Sequence, residues 1–243
     1  MGRIAVIAIT FLMPFITALG QGWMPDTMGC GWQVVSHEGY VLAYDECHEQ
    51  ARWVAYMLTR ERVNGQVPRG KDFEIDTMVE TGCATLEDYR GSGYDRGHLA
   101  PAADMKWGKQ VMRESFLMSN MSPQRRSFND GIWKVMEEQV RAWALEYDTL
   151  YVVTGPVLEY DLETIGYNGV SVPEYFYKVV LDPKRNKGIG LLTEHRNSKR
   201  PPKDFAVTID KVEEVTGLDF FPGLEGEADV ESDNCFECWK WTK

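Results

Sequence analysis

The stretch Tyr94-Asp95-Arg96-Gly97-His98-Leu99-Ala100-Pro101 constrains this chain more than any other. In an extended segment side chains alternate between faces, so Arg96 and His98 project to the same side. Gly91, Gly93 and Gly97 leave room for tight turns or for a close backbone approach. A guanidinium fork matches the geometry of a phosphate, and a neutral imidazole can take a proton near neutral pH.

A histidine beside an arginine is common on protein surfaces, so the residues that follow decide its meaning. Asn120 lies 22 residues after His98, Asn129 lies 31 after it, and Glu137 lies eight after Asn129. Between them runs Ser119-Asn120-Met121-Ser122-Pro123-Gln124. Asn129 and Glu137 are a little over two helical turns apart and can share roughly one face. Each residue also has a plain structural reading: Asn120 as a turn former, Asn129 as a helix cap, Glu137 as solvated helix surface.

The apolar pattern reads as a mixed α+β domain. Val35 to Tyr44 forms a hairpin around His37-Glu38-Gly39, and Phe73 to Met78 a short strand. Ala51, Val54, Ala55 and Leu58 place a helix over Glu49 to Arg62, capped by Asp45. Gln110 to Phe116 is helical. Ile132, Trp133, Met136, Val140, Trp143 and Ala144 mark the clearest helix, Asp130 to Glu146, with Asn129 or Asp130 at its N-cap. Thr149–Thr154, Tyr175–Leu181, Gly188–Leu192 and Phe205–Ile209 read as strands, the middle two as a hairpin. Asp210 then caps a short helix, Lys211–Thr216, stopped by Gly217. The expected architecture is an antiparallel sheet with packed helices, beside a strand-turn-strand joined to the 130–146 helix.

The order and spacing of these pieces resemble the DNA/RNA non-specific endonucleases, the ββα-metal nucleases that include the Serratia nuclease and endonuclease G. The matching residues are Asp95-Arg96-Gly97-His98, the Ser119 to Gln124 run, and Asn129 followed by Trp133 and Glu137. The resemblance spans residues 35 to 225. It implies a ββα-metal catalytic motif beside a larger central sheet, and cleavage of DNA and RNA, sequence-independently, to 5′-phosphate products. It also implies one divalent ion, magnesium or manganese, ligated directly by Asn129 and through water by Glu137. His98 is then the general base, with its ring held by a carbonyl or by Asn120, and Arg96 neutralises the phosphate. Arg125 and Arg126 are candidate phosphate contacts. Asp95 braces the loop, and Gln124 supports the site from behind.

Residues 1–20 read as a signal peptide: Arg3 is the only charge, Ile4 to Leu19 is apolar, and Ala18-Leu19-Gly20 supplies a cleavage site before Gln21. The run is short for a membrane span, and no later stretch is apolar enough to cross a bilayer. The protein is therefore expected to be exported, periplasmic or secreted, with an irregular segment 21–34, a nuclease domain 35–225 and an acidic, cysteine-bearing tail 226–243. Export makes disulfides plausible among Cys30, Cys47, Cys83, Cys235 and Cys238. Cys30 with Cys47 is the natural pair; Cys235 and Cys238 could pair locally, or one of them could reach Cys83. An odd count leaves one thiol over.

The formal charge of −11 is awkward for a protein that binds polyanions. Its distribution is uneven: eight Lys/Arg between Lys178 and Lys203 face only Asp182 and Glu194, whereas six acids and no bases fall between Glu225 and Glu237. Local field at a cleft matters more than net charge. Two other readings compete. A zinc phosphoesterase would need clustered ligands, which four scattered histidines do not supply. A catalytically inactive nucleic-acid-binding protein of the same fold would not need Arg96, His98, Asn129 and Glu137 together. The producer of such a nuclease could need an inhibitor protein.

Overall fold

The computed structural model describes residues 23–26 and 31–239. The signal-peptide segment and Cys30 lie outside the described residues. A seven-stranded, fully antiparallel sheet forms the centre, in the order β1 (Gln33–Ser36), β2 (Val41–Asp45), β3 (Gln50–Thr59), β6 (Thr149–Pro156), β9 (Tyr175–Asp182), β10 (Lys187–Glu194), β11 (Ala206–Val207). Two ribbons stand apart from it: β4 (Asp95–His98) with β5 (Met121–Gln124), and β7 (Thr164–Ile165) with β8 (Val170–Ser171). The helices are α1 (Arg60–Val63), α2 (Leu86–Tyr89), α3 (Lys109–Glu114), α4 (Arg126–Phe128), α5 (Lys134–Tyr147), α6 (Ile209–Thr216) and α7 (Glu227–Glu231). A wide π turn, Asn129–Trp133, joins α4 to α5.

Residues 50–59 are a strand, not the helix that their spacing predicts. The sheet is covered on both faces, and β3 runs through its middle. Val54, Tyr56 and Leu58 enter the core on the α5 side, while Trp53 and Ala55 enter the opposite one. A strand buried on both sides loses its polar alternation, and its apolar run then mimics helical spacing. Asp45 caps nothing; it ends β2 and binds the Arg52 guanidinium at 2.6 Å. The expected strand at Phe73–Met78 reduces to one bridge, Glu74 to Leu117, and that at Phe205–Ile209 to Ala206–Val207. Thr208, not Asp210, caps α6 by accepting from the Lys211 N–H, and Gly217 ends it in the left-handed conformation.

The two cores divide the labour. Met136, Val140 and Trp143 of α5 pack with Phe128 and Trp133 against one face. Ile209, Val212, Phe220, Phe221 and Val230 cover the other. The segment after residue 225 packs on both: Val230 joins the second core, and Trp239 stacks on Trp143 with ring centroids 4.9 Å apart. Cys235 and Cys238 are disulfide-bonded to each other, and Cys47 and Cys83 are free thiols; the expected Cys30–Cys47 pair involves a residue outside the described ones. No helix of the described residues is long and apolar enough to cross a membrane.

Candidate active site

The β4–β5 ribbon and the helix that follows it form the ββα unit. Arg96 and His98 lie two apart on β4, which pairs Arg96 with Pro123 and His98 with Met121. Gly97 is required between them: a Cβ there would stand 2.1 Å from the Gln124 side chain. Trp133 reaches back from the π turn, its indole N–H donating to the His98 carbonyl at 3.4 Å.

One cleft of ≈ 500 Å³ collects Arg96, His98, Asn129, Glu137 and Arg126. Arg69, Phe73, Lys134 and Arg141 also line it, and the sequence reading had not singled them out for the site. Arg69 and Phe73 come from a loop with no local motif, so nothing in their neighbourhood marks them. Arg141 follows Glu137 by one helical turn, which is a usable signal. Five cationic side chains (Arg69, Arg96, Arg126, Lys134, Arg141) face three acids (Asp95, Asp130, Glu137) here. The cleft is thus locally positive in a protein whose formal charge is −11.

His98 is buried at 8% exposure between aromatic rings, with Phe116 edge-on at 4.8 Å and Phe73 at 5.9 Å. Its Nε2 is enclosed without a hydrogen-bond partner. Burial, reinforced by Arg69 and Arg96, pushes the imidazole from its ordinary value down to about 3, so it does not titrate near the usual histidine pKa. The Arg96 guanidinium sits 4.3 Å above the Phe73 ring. Arg141 is fixed by Asp104 at 2.8 Å, and Asp104 is held in turn by the Tyr56 hydroxyl.

Asn120 does not hold the His98 ring. Its amide accepts from the Ala100 N–H at 2.8 Å and donates to the carbonyls of Ala100 and Ser115. It therefore pins the chain just after β4, and its backbone carbonyl accepts from Leu99. Asn120→Ala strands three buried backbone groups. We expect a stability loss of about 3 kcal/mol, read as a lower urea midpoint; a loss below about 1 kcal/mol would mean that these groups find other partners.

Asn129 is not an N-cap; it follows the last residue of α4. Its backbone is helical (φ −58, ψ −50), and Arg125 occupies the capping position before α4. The π turn matters for registration. Eight residues of regular helix overshoot two turns by about 80°. The wider turn breaks that regular geometry, and Asn129 and Glu137 line one cleft. Gly131 carries the break in the turn (φ −102, ψ −121). Glu137 is half-buried, and burial raises its carboxyl pKa, an effect partly offset by Lys178. Its amide and carboxylate oxygens give Asn129 and Glu137 a hard donor set, suited to a divalent cation that keeps most of its water.

The Arg125–Arg126 pair splits. Arg126 is exposed at the cleft, 3.8 Å from Asp95 and 3.9 Å from Asp130. Arg125 turns toward Tyr94 and an adjoining pocket lined by His195, Glu163, Glu174 and Glu194. Lys178 is not a surface cation at all. It is fully buried, with its ammonium 3.8 Å over the Trp133 ring and donating to Thr154 Oγ1 at 3.2 Å. Burial lowers its pKa and Glu137 raises it back. Much of the rest of the 178–203 run is spent on ion pairs, including Lys184 with Asp148, Arg185 with Asp182, Arg196 with Glu194 and Arg200 with Asp204.

His195 locks the ribbon from behind. Its Nδ1 donates to the Pro173 carbonyl at 2.8 Å, so its Nε2 accepts from the Arg125 backbone N–H at 2.7 Å. Burial foremost lowers its pKa from 6.5 to about 4. The folded value lies below the unfolded one, so the unfolded chain binds the proton first as pH falls. The contribution is complete above pH 6.5 and is lost on acidification through pH 4. The stability difference between wild type and His195→Asn should shrink across that window by up to about 3 kcal/mol. A difference independent of pH in urea titrations would show that His195 does not titrate this way.

Comparison with known proteins places the chain in a family. Residues 27–227 match the family model of the DNA/RNA non-specific endonucleases. The mitochondrial endonuclease G of Homo sapiens is 36% identical over 213 residues, covering 81% of this chain and 72% of that protein. Nuclease C1 of Cunninghamella echinulata var. echinulata is 33% identical over 222 residues, covering 81% and 86%. The crystal structure of an EndoG/EndoGI complex, which concerns the mechanism of EndoG inhibition, superposes with a TM-score of 0.72 at 37% identity, over 77% of this chain and 85% of that one. With its ββα unit set beside an antiparallel sheet, the chain belongs to the DNA/RNA non-specific endonuclease family.

Proposed function

We propose that the protein is an exported, magnesium-dependent endonuclease that hydrolyses DNA and RNA without sequence preference, leaving 5′-phosphates. One observation carries the reading. His98, with Nε2 enclosed and unpartnered, lines the same positive cleft as Arg96, Asn129 and Glu137.

Enclosure of Nε2 among Phe73 and Phe116 leaves Nδ1 to face the attacking water, with the ring proton kept on Nε2. A depressed pKa favours the neutral form of His98 near neutral pH, the form that can accept a proton. The same depression makes it a weak base in the free protein. Burial is the main cause of the depression; a bound phosphodiester would offset the lesser causes, Arg69 and Arg96, and so raise the proton affinity of His98. Arg96, braced over Phe73, and the exposed Arg126 steady the phosphate charge. Asn129 would hold the magnesium directly and Glu137 through its waters; when bound, that ion stabilises the charge on the leaving 3′-oxygen. The five cationic side chains that line the cleft fit recognition through phosphates. An inhibitor protein is a plausible partner, since the similar EndoG structure is that of an inhibited complex.

The test is a gel assay of the purified protein on plasmid DNA and total RNA, with magnesium and with chelator. Cleavage of both polymers only with magnesium supports the reading, and 5′-end labelling of the products after phosphatase checks the product chemistry. Binding without cleavage across metals would instead favour the inactive binding protein.

A further inference from the structure

Five carboxylates gather on the face of the sheet opposite the catalytic cleft. Asp210 and Glu213 lie on α6, Asp219 in the connection, and Glu227 and Glu231 on α7. Ligand oxygens of Asp210, Glu213 and Glu231 come within 4.8 Å of one another, and those of Asp219, Glu227 and Glu231 do the same. Glu231 belongs to both groups and sits at their centre.

Glu231 is the unusual member. Its residue is only 8% exposed, and its Oε1 is buried with no hydrogen-bond partner. A buried carboxylate oxygen without a donor or a counter-charge is costly. The others are only partly engaged: Glu213 accepts from the Phe220 N–H at 2.7 Å, and Glu227 accepts from the Gly223 N–H at 3.2 Å. The cores do not explain the arrangement either. Val212 and Val230 already seat α6 and α7 on the sheet, where they stand over Gly190 and Gly188.

We propose that Glu231, with Asp210, Glu213, Asp219 and Glu227 around it, binds a calcium ion that fastens α7 to α6. The donors are all carboxylate oxygens, which favours a hard cation over zinc or copper. Several carboxylates on two short helices and a loop, free to bind through one oxygen or two, suit the flexible, many-oxygen shell of calcium better than the strict octahedron of magnesium. Burial and the four acidic neighbours push the Glu231 carboxyl up to about 8, so ion entry also displaces a proton. The site is distinct from the catalytic cleft, which lies on the α5 side and contains none of these residues.

Thermal unfolding in chelator and in about 5 mM calcium chloride tests this. The melting temperature of the wild type should rise by about 5 °C with calcium, and less with magnesium. Glu231→Gln keeps the size of the side chain but cannot ionise, so it should melt close to wild type in chelator and should not respond to calcium. Asp219→Asn, at an exposed position, should weaken the response and serves as the second variant if Glu231→Gln fails to fold. Asn129→Ala disables the proposed catalytic ligand and should keep the full calcium response. A wild type indifferent to calcium, or a response that survives Glu231→Gln, overturns the site. Loss of the response in Asn129→Ala would place the ion in the catalytic cleft and also overturn it. The test reads melting alone, so it stands whether or not the protein cuts nucleic acid.

Discussion

His98→Ala should lower phosphodiester cleavage about 10²–10⁴-fold, the range that a positioned general base contributes. The side chain packs against Phe73 and Phe116 and makes no hydrogen bond that its loss would orphan. Its backbone role, accepting from the Trp133 indole, survives truncation. The variant should therefore stay folded, with near-wild-type circular dichroism, while initial rates on plasmid collapse at saturating magnesium. KM should move little, because Arg96 and Arg126, the cations proposed to bind phosphate, remain. Cutting within about tenfold of wild type would remove His98 from the chemistry.

Glu137→Gln keeps the shape and removes the charge, and a loss of about 10²–10³-fold in kcat/KM is expected, with a weaker apparent magnesium affinity. The more telling readout is pH. Burial raises the Glu137 carboxyl pKa above its ordinary value. A proton and the metal's waters compete for that carboxylate, and the metal is favoured as pH rises. The acid limb of the wild-type rate profile should accordingly shift to lower pH as magnesium is increased. His98, held down at about 3, cannot produce a limb near 6.5 in the free protein. A limb fixed near 6.5 at every magnesium concentration would mean that a histidine, not Glu137, sets it.

The sequence makes four of the proposed catalytic residues legible as a group, and they line one cleft, because they sit in two short, ordered pieces. Arg96 and His98 share a strand face, and Asn129 and Glu137 share a helix. What it hid follows from burial and from long-range contact. The two-sided burial of β3 turned Ala51, Val54, Ala55 and Leu58 into an apparent helical stripe. Lys178 looked like one more cation in a basic run because nothing local marks a lysine that lies under Trp133. Asn120 anchors backbone instead of the His98 ring, since its partners Ala100 and Ser115 are set by the chain's path and not by motif. Arg69 and Phe73 enter the cleft from a loop whose position only the fold determines.

The widened turn at Asn129–Trp133 has a meaning for anyone who wants to stabilise this protein. A helix that gives up regular hydrogen bonding at one turn is a natural target for repair, and forcing that turn into regular helix at its present length would restore an unbroken ladder while leaving Asn129 and Glu137 about 80° apart. The repaired chain would swing Asn129 away from the face that carries Glu137. Durability and activity pull in opposite directions at this turn, and selection for heat resistance alone would tend to erase the enzyme while improving the protein.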